Sequence, residues 1–309
     1  MKDRFKQGIV ITILAGISWG FSGTCAQILF ERFNVTPIYL SSMRMVLSGI
    51  ILTSFSFFTN REKLISMITS GKAVIRLILF ALLGILFNQI SYLEAIHNTN
   101  SGTATILQYV GPVLCMITEC FLVRRLPEKR EVIAIILAMF GTFILATHGN
   151  INQIYITPIG LMWGLCSAVA IVFYTFLPIS LIKEYGAICV TGCAMLIGGI
   201  VISTLSGAFL QPFNTEPKFV AIFTAIIILG TVVPYTMYLM GINRCGPVIA
   251  SMLASVEPVS ATLFMIFLLN VPFHKSEALG FACIFVTVFL LTKKDASRRD
   301  ISKLGNELD

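Results

Sequence analysis

Ten stretches of this chain are apolar, most of them over the length that a helix needs to cross a lipid bilayer and the last one short, and this leaves few folds open. They run roughly from Gly8 to Phe30, Ile38 to Phe58, Leu77 to Ile96, Ala104 to Val123, Val132 to Thr147, Ile159 to Ile182, Ile188 to Leu210, Phe219 to Ile242, Val248 to Leu269 and Ala278 to Thr292. The hydrocarbon core is about 30 Å thick and a helix rises about 1.5 Å per residue, so about 20 apolar residues span it. Backbone groups in lipid must be satisfied within a helix or around a closed barrel. A barrel needs alternating polarity, and these stretches are continuous. The pattern predicts an all-α membrane protein with ten transmembrane helices. Composition agrees, with 56% hydrophobic and 12% charged residues and a mean hydropathy of +0.88.

Lys2, Arg4 and Lys6 precede the first stretch as in a signal peptide, but the stretch is too long for one and is expected to stay as a span. With the N-terminus in the cytoplasm, the predicted inner segments hold 18 of the 22 lysines and arginines. The outer ones hold Arg32, Lys218 and Lys275, and Arg44 lies within the second span. Basic residues stay on the cytoplasmic side, so both termini are expected there, in a cytoplasmic membrane. The net charge of +7 is thus a topology signal facing anionic headgroups, not evidence for nucleic acid. Eight scattered cysteines without a C-x-x-C pair, and three histidines far from them, give no sign of a metal site. No cofactor is expected.

The chain repeats itself. "GISWG" at Gly16–Gly20 matches "GLMWG" at Gly160–Gly164, and these hold both tryptophans. At a constant offset of 146 residues, Tyr92 matches Tyr238, Pro112 matches Pro258, Lys129 matches Lys275 and Glu131 matches Glu277. Five spans per half is an odd number, so the second half enters the membrane from the opposite side. Such inverted repeats are common in secondary transporters, with the site near the midplane between the halves. The expected division is a first repeat over 1–147, a connector over 148–158, a second repeat over 159–294 and a cytoplasmic tail over 295–309.

These features resemble the drug/metabolite transporter superfamily, EamA-type. The likeness rests on the five-plus-five spans, the Trp-Gly of the first span and the arginine in "SSMRMVLSG". It rests also on "SGTATILQYVGPV" in the fourth span and "IASMLASVEPVSATLF" in the ninth. The likeness covers essentially the whole chain. It departs at "VRRLPEKRE" and "NVPFHKSE", where many members have a Gly-Glu-type turn, so no role passes to Glu131 or Glu277. The resemblance implies transport of small metabolites, often export, from a central cavity.

Four ionisable residues lie within spans: Arg44, Glu94, Glu119 and Glu257. A charge at the bilayer centre costs about 2.5–3.5 kcal/mol on insertion scales, so such residues face the bundle interior. Glu257 is the most central. Its neighbours one turn away, Leu253, Ala254, Ser260 and Ala261, are mostly small, and Pro258 follows it. Pro258 removes the amide that would bond the Ala254 carbonyl and bends the helix, so that carbonyl needs another partner. Glu257 can then bind a cationic group or take up a proton, or can simply bind the bundle together. Glu119 is placed to reach Arg124 or Arg125. Arg44 and Glu94 have comparable depth, which allows an ion pair; Arg44 can equally snorkel or take a substrate carboxylate.

Asn88, Gln89 and Tyr92 in the third span correspond to Pro234, Tyr235 and Tyr238 in the eighth. With Trp19, Ser22 and Gln27 of the first span, Gln108 of the fourth, and Trp163 and Tyr174 of the sixth, they are expected to line an amphipathic pocket. Tyr39, Tyr155 and Tyr185 fit interface anchors better. His97, His148 and His274 are expected in outer loops.

The sequence thus points to a secondary-active exporter of a small metabolite, amino acids first, working by alternating access. Protons are a candidate coupling ion. Import or facilitated diffusion of a choline-like cation, and multidrug efflux, stay open, as do monomer and dimer. An intramembrane enzyme is disfavoured, because no H-E-x-x-H, G-x-S-x-G or paired aspartates occur on the spans.

Overall fold

In the computed structural model, residues 2–99, 101–147, 150, 157–269 and 275–292 are described, and among them all regular structure is helical. The order is α1 (Lys2–Phe33), α2 (Pro37–Thr59), α3 (Arg61–Thr69) and α4 (Gly71–Leu79). A π-helical turn, Phe80–Leu86, continues α4 into α5 (Phe87–Asn98). Then follow α6 (Ser101–Gln108), α7 (Val110–Leu122), α8 (Lys129–Thr147), α9 (Pro158–Phe176), α10 (Ile179–Glu184) and α11 (Ala187–Ser206). After α12 (Pro217–Ile227) a second π turn, Ile228–Val232, leads into α13 (Val233–Cys245). The chain goes on through α14 (Pro247–Leu253), α15 (Val256–Leu269) and α16 (Lys275–Thr292).

Among the described residues, eight helical stretches are long and apolar enough to cross a membrane: Asp3–Phe33, Pro37–Thr59, Gly71–Asn98, Thr103–Leu122, Pro158–Glu184, Ala187–Ser206, Pro217–Cys245 and Pro247–Leu268. They coincide with the predicted first to fourth and sixth to ninth spans. A shorter apolar helix, Ala278–Leu290, lies in the predicted tenth. The predicted fifth is the helix α8, whose first turn holds Lys129, Arg130 and Glu131. This is a multi-pass helical membrane protein.

Local sequence starts these helices where prolines and small hydroxyl residues cluster. Thr36 and Thr157 cap α2 and α9, accepting from the amides of Tyr39 at 3.2 Å and Gly160 at 2.9 Å, each with proline at the next position. Gly246, at φ 93°, makes the turn that returns α13 into α14, a backbone angle that side chains resist.

Glycines set the packing between helices. A methyl at Gly49 of α2 would meet the Leu196 amide of α11 at 2.5 Å, and one at Gly199 of α11 would meet the Val46 amide of α2 at 2.7 Å. Gly141 of α8 and Gly280 of α16 face each other's carbonyls in the same way. Lipid offers no hydrophobic drive between helices, so close backbone approach through small residues holds such a bundle together.

The longer spans are interrupted in pairs at the 146-residue offset. That offset carries Phe80–Leu86 onto residues 226–232, where the second π turn lies. It likewise carries the break at Tyr109, between α6 and α7, onto Ser255, between α14 and α15. The prolines match these breaks. Pro112, Pro234 and Pro258 each lack the amide that would bond the carbonyl four residues back, freeing Gln108, Gly230 and Ala254.

At one end of the bundle, Arg125 grips two carboxylates, Glu119 at 2.6 Å and Glu131 at 2.7 Å, the latter in a two-pronged bond. Their hydrogen bonds hold the guanidinium of Arg125 in its charged form, above the usual arginine range. The expected Glu119 partner is therefore Arg125.

Candidate functional site

The interruptions in the spans converge on one cavity. It is lined from α1, α2, α5, α6, α7, α9, α13, α14 and α15, with Tyr109 at the break between α6 and α7, and has a cavity volume of about 70 Å³. At roughly 10–15 Å³ each, that is room for about five waters.

Eleven of the residues singled out in the sequence line this cavity: Trp19, Ser22, Arg44, Asn88, Gln89, Tyr92, Gln108, Tyr174, Tyr235, Tyr238 and Glu257. Trp163 is elsewhere. It lies only five residues beyond the start of α9 and packs against the cluster that holds Leu29, Leu93 and Ala104. Nor is Gln27 part of the lining; it donates to Glu31 at 2.8 Å. Tyr39 and Tyr185, near the ends of their helices, are buried against the protein. His97 is exposed with its ring edge-on to Phe30. Tyr155, His148 and His274 lie outside the described residues.

One wall is acidic. Glu257 stands in the first turn of α15, 8% exposed, and the Tyr92 hydroxyl donates to its Oε1 at 3.2 Å. Tyr92 also shares a hydrogen bond with Thr105 at 3.1 Å. The Ala254 carbonyl freed by Pro258 is taken by the Tyr109 hydroxyl at 2.7 Å and by the Glu257 amide at 2.8 Å. Sequence reasoning asked for a partner of this carbonyl but missed Tyr109. The signal was present, because Pro112 follows it by three residues and breaks its own helix just there.

The opposite charge comes from α2. Arg44 is 4% exposed; its Nε donates to the Thr231 hydroxyl at 3.0 Å, and its Nη2 to the Gly230 carbonyl at 3.0 Å and the Ser22 hydroxyl at 3.3 Å. The ion pair that its depth allowed with Glu94 is not made. Glu94 instead accepts from Asn98 at 3.2 Å, and Arg44 neither snorkels nor meets an acid among the described residues. The proline-freed Gly230 carbonyl explains why: it draws the guanidinium inward.

The apolar part of the cavity is aromatic. Trp19 lies 5.4 Å from Tyr235 and 5.1 Å from Tyr238, between ring centroids, and Tyr174 stacks on Tyr238 at 5.3 Å. Such rings bind apolar groups and cations alike. Among the cavity residues, Trp19 Nε1, Gln89 Nε2 and Asn88 Oδ1 are buried polar atoms without a partner in the protein. Buried polar groups are ordinarily satisfied, so unspent ones around a cavity suit a polar ligand. Among the described residues no cluster of three histidines, cysteines or acids is close enough to hold a metal ion.

With this geometry established, comparison with known proteins is informative. The sequence profile of the EamA-like transporter family matches residues 6–147 and again residues 158–293. The chain belongs to the EamA-like transporter family. It is 32% identical to the uncharacterized inner membrane transporter YicL of Salmonella typhimurium over 95% of this chain and 97% of that one. It is 24% identical to the uncharacterized transporter YetK of Bacillus subtilis, over 94% and 90% of the two chains. A crystal structure at 15% identity shares the fold, with a TM-score of 0.75 over 92% of this chain and 96% of the other. The chain is therefore a membrane transporter, and its family and these relatives are transporters rather than enzymes.

Proposed function

We propose that this transporter is secondary-active and moves a small amphipathic metabolite, amino acids first, outward across a cytoplasmic membrane by alternating access. The observation that carries the reading is the cavity itself, which is built from both halves of the chain and carries a buried acid, Glu257, and a buried base, Arg44, among aromatic rings. An α-amino acid offers the same three features: an ammonium for Glu257, a carboxylate for Arg44 and a side chain for the rings. Ten spans with both termini in the cytoplasm, α8 and α16 completing the set, divide into repeats over 1–147 and 159–294, joined by 148–158 and followed by the tail 295–309. The paired π turns and paired helix breaks at the 146-residue offset support this inverted arrangement. Opposite rocking of the halves exposes the cavity to each side in turn, and a carboxylate in its wall suits protons as the coupling ion.

The test uses the purified protein in liposomes loaded with the twenty amino acids, with choline in a separate arm. Efflux of at least one amino acid above protein-free liposomes is expected. Glu257→Gln should slow it roughly ten- to hundredfold, since a hydrogen bond to a charged group contributes about 1.5–3 kcal/mol, while the variant stays folded. Wild-type rates in that variant would make Glu257 structural, and efflux of no amino acid would overturn the substrate reading. Release of choline alone would favour a second reading, a cation carrier, for which the Trp19–Tyr174–Tyr235–Tyr238 group beside Glu257 is the supporting feature.

A further inference from the structure

Arg44 carries a charge that the protein does not balance. All three of its acceptors, Thr231 Oγ1, Gly230 O and Ser22 Oγ, are neutral. Among the described residues no acid pairs with it; Glu257 lines the same cavity but is bonded by Tyr92. A buried charge is tolerated when it is paired and its donors are used. Within a membrane the usual remedy is an acid on a facing helix, and here the facing elements, α1 and the Ile228–Val232 turn, supply hydroxyls and a carbonyl instead.

The unused donors point one way. Thr231 passes its own hydroxyl hydrogen to the Ile226 carbonyl at 2.9 Å, so its oxygen is committed as an acceptor for Arg44. Ser22 accepts from Arg44 and donates to no described residue; among the described residues the Nη1 of Arg44 likewise has no acceptor, its bonds being made by Nε and Nη2. The two sit together because Gly230 has no side chain: a methyl there would lie 2.5 Å from Ser22 Oγ. The result is a preformed pair of donors, one of them charged, opening on a cavity.

We propose that Arg44 Nη1 and the Ser22 hydroxyl form a subsite for one monoanionic group, either a carboxylate of the transported molecule or a small inorganic anion, which supplies the missing counter-charge. This deepens the transporter reading and rests on it where the anion is part of the cargo. The subsite itself is a matter of binding alone.

The test is thermal unfolding of the purified full-length protein in detergent, titrated with sodium chloride or sodium acetate, with Arg44→Gln titrated in parallel so that the general effect of ionic strength is subtracted. Wild type should show a rise in Tm that grows with the logarithm of anion concentration and reaches roughly 5 °C at about a hundredfold excess over Kd, by mass action on the folded state, and Arg44→Gln should lose it. A response to both anions marks a carboxylate subsite, and a response to chloride alone marks an inorganic-anion subsite. No rise in Tm with anion in wild type, or an equal one in Arg44→Gln, would overturn the proposal. Should Arg44→Gln not fold, Ser22→Ala keeps the guanidinium and should need about tenfold more anion for the same rise in Tm; an unchanged dependence there would overturn it as well. None of these readouts involves transport, so an absence of efflux from liposomes would sink the transporter reading while leaving this one standing.

Discussion

Adding one methyl group at Gly20 should separate the helices that place Glu257. Gly20 is in the middle of α1, next to Trp19, and α1 packs there on α15. The new carbon would fall on Ser260 Oγ and lie 2.6 Å from both the Ala261 amide nitrogen and the Glu257 carbonyl oxygen. Backbone cannot swing aside as a side chain can, so the overpacking cost is at the upper part of its usual range, about 2–3 kcal/mol. Displacing Ser260 also disturbs its bonds to the Glu257 carbonyl at 2.8 Å and the Gly16 carbonyl at 3.4 Å, about 1 kcal/mol more. Alanine's better helix propensity returns about 1 kcal/mol. The net loss is about 2–3 kcal/mol, or a fall in Tm of about 4–6 °C at roughly 2 °C per kcal/mol.

Gly164, the same position in the repeated motif, is the control. There the methyl meets Leu107 Cδ1 at 2.5 Å and Cβ at 2.6 Å; a rotamer change moves Cδ1 aside but not Cβ, so the helices must still part a little, though no backbone atom of the facing helix is struck. Part of the clash therefore remains after the propensity gain, a net loss of about 1 kcal/mol, and Tm should fall by only about 2 °C, less than in Gly20→Ala. Thermal unfolding of both variants in detergent decides the matter. If Gly20→Ala were as stable as wild type, or Gly164→Ala the worse of the two, close packing of α1 on α15 would not be what fixes the acidic wall.

Two further outcomes follow from the same geometry. Tyr109→Phe removes one of the two donors to the Ala254 carbonyl and should cost about 0.5–1.5 kcal/mol by thermal unfolding; no loss would mean that the opened turn of the ninth span holds itself. In a background lacking the partly exposed Cys120 and Cys166, an impermeant maleimide should label Asn214→Cys on intact cells, and Lys63→Cys only after permeabilisation. The reverse pattern would overturn the proposed orientation.

The apolar lengths and the 146-residue repeat are local or additive properties, so the sequence alone carried the multi-pass helical reading and the approximate positions of eight of the spans, while the transporter reading came through motifs that resemble a family. The same locality let Pro258 announce an opened turn and Glu257 an interior acid. Faces and partners were another matter. A helix packed among lipid and other apolar helices is hydrophobic nearly all round, so periodicity says little about which side looks inward. Trp19 and Trp163 share one motif, yet one reaches the cavity and the other packs on an apolar cluster, because they sit at different depths in their helices. Arg44 was equally compatible with Glu94, with the headgroups and with a ligand, and only the fold brought the Gly230 carbonyl, Thr231 and Ser22 to it. Those residues are 22 to 187 positions apart in the chain, and contacts between such distant segments arise from backbone approach at glycines and carbonyls freed by prolines, which tertiary packing decides.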